Sequence, residues 1–348
     1  MDERCTMPLR FPLTRRPVML GLAASLLAGL VAAPQAAQAE GTLRISEQFG
    51  VVYLLLHVAR DQGLIEKHGK EEGIDIKVSW TKLSGGAAVN EAVLSGAVDV
   101  GSAGLGPLLT LWDRTHGRQN VKAVAGLGAF PYYLVTNNPA VKTLADFTAK
   151  DRIAVPAVTV SVQSRFLQYA AAQAFGEKNW NRLEPLTVAV PHPDAAAAVI
   201  SGGTEIDSHF ANPPFQEQEL ASGKVHKVLS SYDVMGGANS PTLVFVTEKF
   251  RRDNPKTYKA FREALVEAGQ IIEKDKAAAA RTYIKVENSK LDPALIQQII
   301  ESPEVNFDTA PQNTLKLAQF MYRIGAIRNQ PTSWQDYFFV DAPEQKGS

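Results

Sequence analysis

The sequence TKLSGGAAVNEAVLSGAVDVGSAGLGP, residues 81–107, places two glycine-rich loops beside a short helix and a short strand. Ser84, Gly85 and Gly86 open a predicted helix at 87–94. A predicted strand at 97–100 follows and ends in the second loop. A helix that starts after a glycine turn directs unpaired backbone N–H groups outward, which suits an anion or a polar head group. A plain βαβ connection, in which the glycines serve only as turns, fits this stretch equally well.

Strand and helix patterns alternate on both sides of this stretch. A predicted strand at 43–46, a helix at 51–61 and an alternating strand at 74–80 precede it. Predicted strands at 121–127 and 132–136 follow. This order predicts an α/β fold in which helices cover mostly parallel sheets.

The pattern recurs in the second half of the chain. In both copies a small-residue helix ends in Ser-Gly, a short strand carries an Asp, and a loop reaches Pro. The matching pieces are Ala92–Gly96, Asp99 and Pro107 in the first copy, and Ala198–Gly202, Asp207 and Pro213 in the second. The repeat predicts two lobes built on one plan.

Composition excludes several classes of function. The 348 residues carry no formal net charge, so no basic excess is available to meet the phosphates of a nucleic acid. The single cysteine is Cys5, which excludes disulfides, thiolate catalysis and cysteine metal sites from a mature form that begins later. The histidines show no metal-ligand spacing. We predict no metal and no other cofactor.

Residues 1–39 are predicted to be a cleaved export signal. Arginines precede an apolar run at 18–33, and Ala37-Gln38-Ala39 gives the small-x-small pattern of a cleavage site. The Arg15-Arg16 pair partly resembles a twin-arginine signal, although ordinary secretion explains it as well. We therefore expect a soluble periplasmic protein of net charge −2 after cleavage.

The ordered set of motifs resembles the solute-binding proteins of ATP-driven importers in the nitrate, sulfonate and taurine group. The resemblance covers most of residues 43–250. Its pieces are helix 51–61 with Gln62–Lys67, Ser84–Gly86, Leu94–Gly101, Gly104, Pro107, Asp194–Gly202, Asp207 and Pro213-Pro214.

This resemblance implies the two-lobed periplasmic binding protein fold of type II, with two crossovers between the lobes. Lobe one would comprise residues 40–130 and 240–348, and lobe two residues 131–239. A monomer would hold a small ligand in the cleft between the lobes. It would then deliver the ligand to the membrane permease and ATPase subunits of an ABC importer.

Ligands of open parallel sheets bind beyond the carboxyl ends of the strands. The candidate ligand-binding residues on such loops are Gln48, Phe49, Tyr53, Ser84, Gly85, Gly86, Gly104, Tyr132, Thr159, Ser161, Gln163, His209, Phe210 and Asn212. Ser84 and the glycines would hold one end of the ligand, opposed by Thr159 and Ser161. For Tyr53 and His209 a structural role is an open alternative.

The candidate loops contain few cations, with Lys82 and Arg165 the nearest, while Phe49, Phe210 and Phe215 leave room for an organic body. We therefore expect a sulfonate or carboxylate, either taurine-like or aromatic. Two alternatives are open. One is a neutral heterocycle, such as a thiamine-precursor pyrimidine or a flavin. The other is a pyrimidine-precursor synthase on the same fold, which the lack of cysteine and of further lysines disfavours. We predict that the protein is not an enzyme.

Overall fold

Strands and helices alternate through residues 40–341 and 345–348, the part of the chain that the computed structural model describes. The predicted export signal at 1–39 lies outside the described residues. Residues Glu40–Ser348 form one compact unit. None of the helices in the described part of the chain combines the length and hydrophobicity that a bilayer crossing would need.

Lobe one, as we use the name, contains two small sheets. β1 pairs in parallel with β2, and the parallel bridge between Ile45 and Val100 connects β1 to the chain just before β3. The second sheet has the order β3-β10-β4 and is antiparallel. The strands are β1 (Thr42–Glu47), β2 (Lys77–Lys82), β3 (Gly101–Gly104), β4 (Lys122–Gly126) and β10 (Thr242–Val246).

Lobe two contains a five-stranded sheet with the order β7-β6-β8-β5-β9. β6 pairs in parallel with β7 and β8, whereas β5 runs antiparallel to β8 and β9. The strands are β5 (Tyr133–Thr136), β6 (Ile153–Val155), β7 (Thr187–Ala189), β8 (Ser208–Ala211) and β9 (His226–Ser230).

The two-lobed α/β fold is confirmed, but its sheets are mixed rather than mostly parallel. Each antiparallel pair involves either β5 or β10. These are the first strands after the chain crosses from one lobe to the other. A parallel neighbour requires a helical return connection along the same sheet. A strand that arrives from the other lobe has no such connection, so it is free to run the other way.

Thirteen α-helices cover these sheets in the described part of the chain. Lobe one carries α1 (Leu54–Asp61), α2 (Leu64–Glu71), α3 (Gly86–Leu94) and α4 (Leu105–Thr115). Lobe two carries α5 (Val162–Phe175), α6 (His192–Ser201), α7 (Phe215–Ala221) and α8 (Ser231–Met235). The C-terminal helices are α9 (Glu248–Asp253), α10 (Pro255–Lys274), α11 (Lys276–Glu287), α12 (Pro293–Glu301) and α13 (Leu315–Arg323).

Helix α10 shows how the C-terminal segment covers lobe one. Its buried residues Tyr258, Phe261, Leu265, Ala268 and Ile272 recur at steps of three and four, so they form one stripe, and the helix packs on α1 and α2. Burial of each large side chain in the stripe contributes about 1.5–3 kcal/mol. The last helix differs, because Phe320 on α13 stacks on Tyr169 of α5 with ring centres 4.6 Å apart. The C-terminal segment therefore contacts both lobes.

The predicted repeat has a structural counterpart. Asp99 accepts a hydrogen bond from the backbone N–H of Arg44 at 2.8 Å, and Asp207 accepts one from the backbone N–H of Arg152 at 3.3 Å. Both pairs are separated by 55 residues. In each lobe, therefore, an Asp after the small-residue helix fixes the strand that lies beside it.

The strand expected at 97–100 is displaced. Residues 95–99 form turns, Val100 makes a single bridge, and the strand begins at Gly101. Asp99 explains the shift, because its carboxylate is occupied by the backbone, Nε and Nη2 of Arg44. The turn is thereby held against Arg44, in the first half of β1, and residues 97–99 form no strand.

Candidate ligand-binding site

A narrow cavity lies between the loops that follow the strands of the two lobes. Gln48 and Phe49 follow β1, Gly104 ends β3, Pro156 follows β6 and Asn212 follows β8, and all five line the cavity. The volume open to the centre of a water molecule is only about 20 Å³. Roughly 10–15 Å³ on that measure holds one water. The lobes are therefore in a closed conformation.

Four helices begin at this cavity. α3 starts at Gly86, α4 follows Gly104, α5 follows Ser161 and α6 starts at His192, and these four residues all line the cavity. The first turn of each helix carries N–H groups without intrahelical partners and the positive end of the helix dipole. No Asp, Glu, Lys or Arg is among the described residues that line it. The cavity thus favours negative charge without a charged side chain.

Two polar side chains on lobe two face each other at the cavity wall. Gln163, in the first turn of α5, has its Nε2 atom 3.0 Å from Nε2 of His192. Both residues are buried. Burial, with His209 acting in the same direction, lowers the pKa of His192 well below its usual value. His192 is therefore a neutral imidazole at neutral pH.

Aromatic side chains form another part of the wall. Phe49 and Tyr53 follow β1, and Tyr132 precedes β5, with its hydroxyl 2.7 Å from Thr242 Oγ1. Burial raises the pKa of both tyrosines well above the usual value, so their hydroxyls stay protonated. The wall combines apolar rings with neutral hydroxyls.

The two lobes meet along a set of glycines that we call the glycine seam: Gly50, Gly85, Gly104 and Gly106. A Cβ atom on Gly50, Gly85 or Gly106 would lie 2.7 Å from a carbonyl oxygen of lobe two, and one on Gly104 would lie 2.7 Å from Val162. Asn212 Nδ2 donates to the Phe49 carbonyl at 3.1 Å across the same boundary. The closed contact therefore depends on missing side chains.

Nine of the fourteen candidate residues come together on this cavity. They are Gln48, Phe49, Tyr53, Gly86, Gly104, Tyr132, Ser161, Gln163 and Asn212. Ser161 also caps α5, because its Oγ accepts from the N–H of Ser164 at 3.2 Å.

Five candidates lie elsewhere. Ser84 is exposed beside the loop, and Gly85 packs on Pro156. Thr159 lines a separate small cavity with Ser164 and Trp180. His209 and Phe210 are both fully buried.

Strand geometry explains the last two corrections. Neighbours on β8 point to opposite faces of the sheet, and both faces are covered in lobe two. Phe210 packs on Phe166 with ring centres 6.2 Å apart, so it belongs to the core. His209 reaches the cavity only through His192, whose Nδ1 atom lies 2.7 Å from His209 Nε2.

Sequence reasoning missed His192, Thr242, Pro107, Pro156 and Val162 as lining residues. His192 is one of the histidines without metal-ligand spacing, so that criterion does not single it out. Its neighbours Pro191 and Pro193 carried the signal, since Pro is favoured in the first turn of a helix. The helix begins at His192, two residues before Asp194.

The nearest cations do not line the cavity. Lys82 forms an ion pair with Glu287 and lies over the Phe49 ring, 5.2 Å from its centre. Arg165 is buried, and its Nη1 donates to Gln168 at 2.9 Å. Burial lowers the pKa of Arg165 to about 10.

Glu47, His57 and Glu287 come close enough together to suggest a metal centre. His57 Nε2 lies 3.5 Å from Glu47 and 3.1 Å from Glu287. Arg60 and Lys82 contact the same two carboxylates and balance their charge. A divalent cation would add two positive charges to this balanced group, so we interpret it as an ion-pair network between β1, β2, α1 and α11.

A family model matches residues 51–286, which span both lobes and every helix N-terminus at the cavity. The chain belongs to the NMT1-like family. No match was found among the curated proteins.

Solved structures resemble this NMT1-like protein in fold. The alkanesulfonate-binding protein SsuA from Xanthomonas axonopodis pv. citri, bound to MOPS, has 18% identity and a TM-score of 0.66, covering 84% of this chain and 96% of its own. The periplasmic aliphatic sulphonate-binding protein SsuA from Escherichia coli has 18% identity and a TM-score of 0.63, covering 87% and 94%. The periplasmic nitrate-binding protein NrtA from Synechocystis PCC 6803 has 16% identity and a TM-score of 0.67, covering 86% and 84%. The resemblance to the nitrate, sulfonate and taurine group is confirmed.

Proposed function

We propose that this NMT1-like protein is the periplasmic substrate-binding component of an ABC importer. It captures a small organic anion, a sulfonate or a carboxylate, between its lobes and delivers it to permease and ATPase subunits. Export would follow cleavage near Ala39, and the protein would act as a monomer. It binds its ligand and does not transform it.

The convergence of four helix N-termini on one cavity carries this proposal. An anionic head group would accept hydrogen bonds from the first turns of α3, α4, α5 and α6. The lack of lysine and arginine among the described lining residues disfavours a highly charged ligand such as phosphate or citrate. The names of the structural neighbours, which bind sulfonates and nitrate, support the same class.

The aromatic wall supports a ligand that has an organic body. Phe49, Tyr53 and Tyr132 offer ring surface next to the helix N-termini, which bare nitrate would not use. The same rings favour a second candidate, a neutral heterocycle such as a pyrimidine or a flavin, which would stack between them.

A thermal-shift screen of the purified protein tests the proposal. The panel contains ethanesulfonate, taurine, propionate, a thiamine-precursor pyrimidine and a flavin. A specific ligand present at about a hundred times its dissociation constant stabilises the folded protein by ~2.7 kcal/mol. We expect stabilisation by a sulfonate or a carboxylate. Stabilisation by the heterocycles alone would contradict the anion proposal.

Two variants separate head-group recognition from stacking. Gln163→Ala removes a polar group at the cavity and is expected to weaken an anion roughly tenfold or more. Phe49→Leu removes a ring face and is expected to weaken a stacked heterocycle more than an anion. Ser84→Ala is the matched control, because Ser84 lies outside the cavity and is expected to have no effect on either ligand.

A further inference from the structure

Four buried side chains form one continuous chain of hydrogen bonds that starts at the cavity. Gln163 Nε2 lies 3.0 Å from His192 Nε2, His192 Nδ1 lies 2.7 Å from His209 Nε2, and His209 Nδ1 lies 2.7 Å from Glu219 Oε1. Gln163 and His192 line the cavity, while His209 and Glu219 are fully buried in lobe two. The chain runs through α5, α6, β8 and α7.

The donors and acceptors along this chain of hydrogen bonds can be arranged in only two ways. A neutral imidazole has one donor nitrogen and one acceptor nitrogen, so each histidine passes the direction of its first hydrogen bond to its second. If Glu219 accepts from His209, the chain runs inward and Gln163 donates to His192. If Glu219 donates, the chain runs outward and His192 Nε2 donates to Gln163. The state of Glu219 therefore decides what Gln163 offers to the cavity.

The surroundings of Glu219 favour the donor state. Its Oε2 atom has no hydrogen-bond partner among the described residues, and His209 provides its one side-chain hydrogen bond there. Burial raises the pKa of Glu219 to about 9 and lowers the pKa of His209 to about 3. At neutral pH the carboxyl holds its proton and both imidazoles are neutral. A carboxyl proton on Oε1 can only be donated to His209 Nδ1.

We propose that Glu219 and His209 are positioning residues that turn the Gln163 amide so that its N–H groups face the cavity. A half-turn of the Gln163 amide exchanges the positions of its Oε1 and Nε2 atoms. His192 Nε2–H then donates to Gln163 Oε1. The cavity wall becomes a hydrogen-bond donor and selects ligands with an acceptor head group. This inference rests on the proposed function and adds residues remote from the ligand to its specificity.

Other titratable groups lie on α7 and on the elements around it, and an experiment must distinguish their effects from the effect of Glu219. They are Glu217 on α7, His192 and Asp194 on α6, His209 on β8, Tyr133 on β5, and His226 and Lys227 on β9. Glu217 Oε1 accepts from Gln216 instead of a histidine, and Lys227 lies over the Tyr133 ring, 4.5 Å from its centre. Glu217→Gln is therefore a matched control on the same helix.

Nitrogen-15 NMR of histidine-labelled protein tests the direction without a ligand. We expect both His192 and His209 to be Nε2–H tautomers at pH 7, and to change to Nδ1–H as the pH rises through about 9. Glu219→Gln supplies a neutral donor and should keep the Nε2–H forms at every pH. Glu219→Met supplies no donor, so His192 and His209 should no longer share a single tautomer in this variant. Nδ1–H tautomers at pH 7 in the wild type would overturn the proposal.

Binding of ethanesulfonate, measured by calorimetry, tests the consequence. Loss of one oriented donor should weaken binding roughly ten- to hundredfold in Glu219→Met, with Glu219→Gln restoring it. The wild-type affinity should fall above pH 9, while Glu219→Gln shows no such fall and Glu217→Gln behaves as the wild type. Equal affinity in Glu219→Met and the wild type would overturn the proposal. A wild type that binds no anion would contradict the proposed function instead, and the tautomer measurement would still decide the direction of the chain.

Discussion

Single glycines decide how closely the lobes approach, and two neighbours illustrate different roles. Gly85 has extended backbone, and the three atoms nearest to a Cβ atom there would all belong to lobe two, with Pro156 O closest at 2.7 Å. A Cβ atom on Gly86 would lie 2.2 Å from Pro107 Cγ, within lobe one. Gly85 therefore allows the two lobes to come into contact, whereas Gly86 allows close packing within lobe one.

We expect Gly85→Ala to weaken ligand binding without lowering the melting temperature. Overpacking costs about 1–3 kcal/mol, and here it falls on the closed state alone. Affinity should drop roughly ten- to hundredfold, as measured by calorimetry. Gly86→Ala should instead lower the free energy of unfolding by about 1–3 kcal/mol in urea. A melting temperature that falls equally in both variants would contradict the distinction.

The sequence predicts which loops form the site better than it predicts which side chains line the cavity. Ser84-Gly85-Gly86 was correctly identified as the start of α3, yet only Gly86 lines the cavity. The sequence predicts His209 at the end of a strand, whereas it is the second residue of β8. Which face of that strand meets the cavity depends on α6 and α7, which pack on it from elsewhere in the chain. Local pattern does not contain that information.

At the level of elements, one carboxylate in each lobe fixes a strand, but the two operate in different surroundings. Asp99 accepts three hydrogen bonds from Arg44, at 2.8, 2.9 and 2.6 Å. Asp207 accepts one from the backbone of Arg152 and one from Ser208 Oγ at 2.6 Å, and it lies near Asp151. Burial, with the charge of Asp151 acting in the same direction, raises the pKa of Asp207 above its usual value.

The two aspartates should therefore respond oppositely to replacement by asparagine. Asp99→Asn loses a partly exposed ion pair and should cost about 1–2 kcal/mol at neutral pH. The folded state holds a proton on Asp207 more tightly than the unfolded chain, so wild-type stability falls as pH rises through that group. Asp207→Asn removes this loss, and its stability relative to the wild type should increase from pH 4 to pH 8. Urea unfolding at both pH values measures this, and an equal loss in both variants would contradict it.

Element order was predictable because apolar periodicity and glycine stops are local features. The strand displaced to Gly101–Gly104 was not, because the Arg44–Asp99 contact joins residues 55 apart. The antiparallel course of β5 and β10 likewise depends on the crossovers between lobes.

At the level of the whole molecule, the closed cavity implies that the lobes must separate to admit a ligand. The free protein should therefore populate an open form, and binding should shift it to the closed one. Small-angle scattering with a bound sulfonate should give a radius of gyration near the roughly 20 Å of a compact chain of this length, and a larger value without ligand. Gly85→Ala should stay expanded with ligand. An unchanged radius in the wild type would contradict closure.

The glycine seam also separates the speed of ligand exchange from the choice of ligand. Gly50, Gly85 and Gly106 meet carbonyl oxygens of lobe two, and none of the three lines the cavity. Under the proposed function, a captured molecule would leave only after these contacts part, so the seam would set its residence time, and Gln163 and the helix ends would set the chemical preference. Under the proposed function, changes in the glycine seam would alter how long a ligand is retained and would leave the choice of ligand the same.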